Sequence, residues 1–150
     1  MPRIGTVDPR FQSYNIEMVE VIGGRFWKPY AKSGAAAAPK PEPAAAATNK
    51  NQPTGMDPNL YQYRSPIDLS NPRLRKLAAA LGPAYVRVSG TWANSVYFQD
   101  SDAPAPATAP KGFNGVLTRQ QWKGVVDFSH ATDAEIVTSF ATSVGTRDAS

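Results

Sequence analysis

Residues 71–91 read NPRLRKLAAALGPAYVRVSGT, and this stretch decides the fold. Asn71 is a residue type that caps the free amides at a helix start, and Pro72 suits the first helical position. Leu74, Leu77, Ala78 and Leu81 follow the i, i+3, i+4, i+7 spacing of an apolar helix face, so the pattern predicts a helix over 71–82. Gly82 and Pro83 stop it. Ala84–Ser89 (AYVRVS) then carries the alternation of a short strand, entered by a very tight turn.

Working outward, residues 11–22 (FQSYNIEMVEVI) put Tyr14, Ile16 and Met18 on one side and Ser13, Asn15 and Glu17 on the other. This period of two predicts a strand, ended by Gly23-Gly24. Downstream, residues 118–131 read as a second helix. Thr118 with Gln121 has the spacing of a capping box, and Leu117 with Trp122 that of a hydrophobic staple. Residues 135–141 (EIVTSFA) read as a third strand. The order strand–helix–strand–helix–strand predicts a parallel sheet with right-handed crossovers.

Two Pro/Ala-rich stretches interrupt this order. Over residues 31–58, alanine favours helix, but Pro39, Pro41, Pro43 and Pro53 break one wherever it starts. The reading is a flexible loop within a single unit of 1–150. Residues 101–115 form a second such loop.

Composition narrows the chemistry. The chain has 150 residues and no cysteine, so a disulfide framework, a thiolate metal site and a cysteine nucleophile are excluded. A lone histidine, His130, cannot form a histidine metal cluster, and its place near a helix C-terminus favours a dipole contact. The net charge of +4 is scattered along the chain, which argues against a nucleic-acid partner. No stretch has the length and apolarity of a membrane span, and the opening MPRIGTVDPRF lacks the apolar region of a signal peptide.

The stretch SNPRLRKLAAALGPAYVRVSGTWANSVYF (70–98) resembles a segment of glycoside hydrolase family 79, the heparanases and β-glucuronidases. The likeness lies in P-x-L-R-x-L-A followed by L-G-P-A-Y-x-R-x-x-G-T, from Pro72 to Thr91. RFQSYNIEMVEV (10–21) is similar to the family's first barrel strand. LTRQQWKGVVDFSHATDAEIVTSFA (117–141) is similar to its second helix and third strand.

The resemblance implies a partial (β/α)8 TIM barrel: its first three parallel strands and two helices, with the two loops inserted. It implies a retaining hydrolase of β-linked uronic acids, needing no cofactor and found outside the cell or in the periplasm. The family's two catalytic glutamates would lie on strands four and seven, in a C-terminal part of the barrel that this chain would have to find elsewhere. The chain alone is therefore expected to be inactive.

The same resemblance assigns substrate-binding roles to Glu17 and Thr91 at the rim, with Gly90, Trp92 and Asn94 beside them. Glu17 stands where heparanase has Asp, one methylene longer. Trp92 would stack on a sugar face and Asn94 would hydrogen-bond hydroxyls. Arg87, flanked by Val86 and Val88, is expected to be a buried guanidinium needing a carboxylate. That carboxylate would be Glu17 or, by resemblance, a catalytic glutamate above it. Read on residue types alone, Glu17 and Asn15 equally fit the wet face of a strand, Thr91 a turn, Trp92 and Trp122 core positions, and Arg73, Arg75 and Lys76 a solvated helix face. The corresponding functional alternative is a non-enzymatic carbohydrate-binding or interaction module.

Overall fold

The structure, a computed structural model, describes residues 4–29 and 58–142. Its centre is a three-stranded parallel sheet of β1 (Ser13–Glu17), β4 (Ala84–Ser89) and β7 (Ala134–Thr138). Between them along the chain come α1 (Met18–Ile22), β2 (Gly24–Trp27), β3 (Tyr61–Arg64), α2 (Pro72–Ala79), β5 (Val96–Gln99), β6 (Gly115–Thr118) and α3 (Arg119–Thr132). β2 and β3 form an antiparallel pair, and β5 and β6 a parallel one.

The parallel register pairs Asn15 with Arg87 and Glu17 with Ser89, and on the other side Arg87 with Val137. Because side chains alternate along a strand, this register sorts the two faces. Ile16, Val86 and Val88 point to the covered face, where Val86 and Val88 are 0% exposed and pack with Leu74 and Ala78 of α2 and Val125 and Phe128 of α3. Burying two valines completely contributes about 1.5–3 kcal/mol each. Tyr14 meets Phe128 edge to face at 6.4 Å. Tyr85, Arg87 and Glu135 fall on the opposite face, which stands open.

Both long helices start as the residue types dictate. The Asn71 side chain accepts from the amides of Arg73 (2.9 Å) and Leu74 (3.2 Å). The amide of Thr118 donates to Gln121 Oε1 at 2.9 Å, and the amide of Gln121 donates back to Thr118 Oγ1 at 3.2 Å. Arg10 fastens the N-terminal end of the sheet, donating to the Asp133 carbonyl (2.6 Å) and pairing with Asp133 (2.8 Å) and Glu135 (3.0 Å).

The structure corrects several sequence expectations. The first strand stops at Glu17 instead of running to residue 22. Met18–Ile22 is helical, because Met18, Val21 and Ile22 also satisfy a helical i, i+3, i+4 face, and Glu20 returns its carboxylate to the Glu17 amide at 3.0 Å. α2 ends at Ala79, and the apolar stripe expected on it is only half used: Leu77 and Leu81 are 61% and 51% exposed. The third strand ends at Thr138, short of the expected 141. Strands β2, β3, β5 and β6 are additions. Of the loop expected over 31–58, residues 31–57 lie outside the described residues.

Candidate functional site

The C-terminal ends of β1 and β4 open onto a cleft of about 560 Å³. Its lining is Glu17, Arg87, Ser89, Gly90, Thr91, Trp92, Asn94 and Ser139. All six residues singled out in the sequence thus come together on one concave surface. Ser89 and Ser139 were not singled out, and their hydroxyls meet at 3.0 Å across the ends of β4 and β7. A lone serine carries no periodic or motif signal, so only the strand register brings these two into view.

Each position follows from local physics. Glu17 is the last residue of β1 and the N-cap of α1, which holds its carboxylate at the sheet end. Gly90 ends β4 with φ +98°, and a Cβ there would fall onto the Glu17 carboxylate. The backbone angle requires glycine, and any Cβ there would also force the Glu17 carboxylate to swing away. The next residues, Thr91–Ser95, form a 3-10 turn that swings Trp92 and Asn94 round the rim. Asn94 accepts from Thr142 Oγ1 at 3.2 Å.

Trp92 is 8% exposed and packs edge to face on Phe26 of β2 at 5.4 Å. It forms a wall of the cleft instead of the open stacking platform expected from the sequence. Its buried indole Nε1 has no partner among the described residues.

Arg87 departs furthest from expectation. It is exposed, not buried. Val86 and Val88 occupy the helix-covered face, so alternation sends Arg87 to the open one. It does not pair with Glu17. Its Nη1 donates to Asn15 Oδ1 at 3.0 Å, and Asn15 Nδ2 donates to Glu17 Oε1 at 2.7 Å. Asn15 was read only as a wet-face residue, and it proves to be the bridge between the two charges. The Asn15↔Arg87 register is what makes the bridge, and no one-dimensional pattern reveals it.

A second cavity, about 540 Å³, lies between β5, β6 and the end of β7, with Leu117, Trp122, Phe98 and Phe140 among its walls. Ser139 lines both cavities. Gln99, in its lining, donates to Ala103 O at 2.8 Å while its Oε1 is buried without a partner among the described residues. Among the described residues no helix is long and apolar enough to cross a membrane.

Neither a protein-family model nor a curated protein matches this chain.

Proposed function

We propose that the cleft at the ends of β1 and β4 is a sugar-binding site, and that the chain is the N-terminal part of a (β/α)8 barrel of the retaining glycoside hydrolases that act on β-linked uronic acids. The observation that carries this reading is the gathering of Glu17, Arg87, Thr91 and Asn94 on one cleft at the C-terminal strand ends. That is where barrel enzymes keep their sites. The three parallel strands, adjacent in chain order with helices on one face and a polar open face on the other, further support it.

The chemistry expected of the cleft is binding, without bond cleavage. Retaining hydrolysis needs two carboxyl groups about 5 Å apart across the sugar. Among the described residues, Glu17 is the single carboxylate in the lining. This same observation favours the second reading, a non-enzymatic carbohydrate-binding module, in which Glu17, Thr91 and Asn94 simply hold hydroxyls.

An NMR titration of the chain with methyl β-D-glucuronide tests the shared claim. The amides of Gly90, Thr91 and Asn94 are expected to shift together, and shifts confined to the α2–α3 side would sink it. An aryl glucuronide assay tests the role of the chain: no turnover is expected from the purified chain. A sharp cooperative melt of a monomer favours the self-sufficient binding module over the barrel portion.

A further inference from the structure

We propose that the Asn114–Gly115 pair is a self-modification site: the Asn114 amide converts to isoaspartate without an enzyme, and the conversion unfastens the turn that carries Trp92 and Asn94. The inference does not depend on what the cleft binds.

The chemistry is a ring closure between neighbours. The main-chain nitrogen of the following residue attacks the side-chain carbonyl carbon of asparagine. The bond from that carbon to Nδ2 breaks, and the nitrogen leaves as ammonia. Water then opens the cyclic imide at one carbonyl or the other, giving aspartate or isoaspartate. A Cβ on the following residue obstructs the attack, so the step is fastest before glycine, which has no Cβ and an unrestricted backbone. Of the asparagines in the chain, only Asn114 precedes a glycine. Asn71 precedes Pro72, which has no N–H to give up. Asn15 lies inside the central sheet, and Asn94 precedes the buried Ser95.

The fold leaves the Asn114–Gly115 pair open to reaction. Asn114 is exposed, and residues 100–114 hold neither helix nor strand. Gly115 begins β6 at the end of a two-stranded ribbon with β5, so a local opening there leaves the central sheet intact. Packing accounts for the glycine: a Cβ at residue 115 would stand 2.6 Å from Ile22 Cδ1 and 3.5 Å from Val96 Cγ2. The residue that lets β6 lie against α1 is therefore also the one that lets Asn114 react.

The consequence follows from what Asn114 holds. Its main-chain N–H donates to the Ser95 carbonyl at 2.8 Å, and its Nδ2 donates to Ser95 Oγ at 3.2 Å. Ser95 is buried and ends the turn Thr91–Ser95 on the cleft rim. The two products treat this clasp differently. Aspartate keeps the length of the main chain, and its carboxylate can accept from the Ser95 hydroxyl once that hydroxyl rotates. Isoaspartate routes the main chain through the side-chain carbons. It adds one methylene between residues 114 and 115, which disrupts the Val96↔Gly115 register.

The experiment ages the whole chain in mildly alkaline buffer, which favours loss of the Gly115 amide proton. Mass spectrometry of a protease digest then separates aspartyl from isoaspartyl peptides. When half of Asn114 has converted, Asn15 and Asn94 are expected to remain amides. Asn114→Gln, which would have to close a larger ring, stays intact over the same period. In the amide NMR spectrum of the isolated isoaspartyl form, Asn94 and Val96 shift while Val125 and Phe128 in the core do not. Asn114→Asp supplies the other product and leaves Asn94 and Val96 near their original positions. Conversion at Asn114 no faster than at Asn94 overturns the site. An isoaspartyl form whose Asn94 and Val96 amides match those of Asn114→Asp overturns the release of the turn.

Discussion

The backbone of Gly90 lies against the carboxylate of Glu17 so closely that a Cβ at residue 90 would occupy the space of the carboxylate itself. Two strands far apart in the chain thus share one point of contact at the rim of the cleft. The contact constrains both residues, and the first prediction follows from it.

Gly90→Ala is expected to destabilise the protein by at least about 1–3 kcal/mol, because alanine at φ +98° is strained before any clash is counted. For a domain of this size each kcal/mol lowers the melting temperature by roughly 2–4 °C. Adding Glu17→Ala relieves the clash but not the backbone strain. The double variant should therefore be more stable than the sum of the two single effects. A double-mutant cycle by urea denaturation reads this coupling directly, and strict additivity would count against the contact.

Phe128→Ala should cost about 3–5 kcal/mol. The ring is 2% exposed and sits between the sheet and α3, edge-on to Tyr14. By contrast Leu77→Ala, at a position 61% exposed, should change stability by less than about 0.5 kcal/mol. Chemical denaturation of the two variants checks the pair. A large effect at Leu77 would show that α2 presents a different face to the core.

Asn71→Ala removes the acceptor of two amide hydrogen bonds at the start of α2. A loss of about 0.5–2 kcal/mol is expected, with faster amide exchange at Arg73 and Leu74. Asn71→Asp, which keeps the acceptor and adds charge at a helix N-terminus, should retain the stability.

Acid should loosen the turn that leads into α2. The Asp68 carboxyl is held below the ordinary carboxylate range, first by the Ser70 hydroxyl and then by the Ser70 amide, which donate to it at 2.5 and 2.9 Å. A depressed folded-state pKa means that its contribution to stability is fully present above the unfolded value. That contribution is lost as pH falls through the folded one. The Asp68 carboxyl carbon shift, followed by NMR from neutral pH downward, should titrate later than a free aspartate. Asp68→Asn should flatten the acid end of the stability profile. Arg119, raised by its hydrogen bond to Asp100, stays charged throughout this range and contributes no such step.

Much of the architecture was readable from residue order. Asn71-Pro72 and Thr118-x-x-Gln121 are local signals, acting over three or four residues, and both helices begin at them. The alternation of Ala84–Ser89 and of Ser13–Glu17 likewise marks strands whose neighbours are found in the expected parallel order. The misreadings have a common cause. Met18–Ile22 satisfies period two and period 3.6 at once, and only the pairing that ends at Glu17 chooses between them. The short strands β2, β3, β5 and β6 have four residues each, too few to show a period.

The site divides along the same line. Glu17, Gly90 and Thr91 could be singled out only through the family resemblance, since by residue type they equally fit the wet face of a strand and an ordinary turn. The state of Arg87 could not, since its exposure depends on which face of the sheet the helices cover, and its partner on a register between segments about seventy residues apart. Local propensity acts over a few residues and set the elements and their order. Cross-strand register is a long-range property of the packed sheet, and it alone turned a lone arginine and a wet-face asparagine into a charged, positioned wall of a cleft.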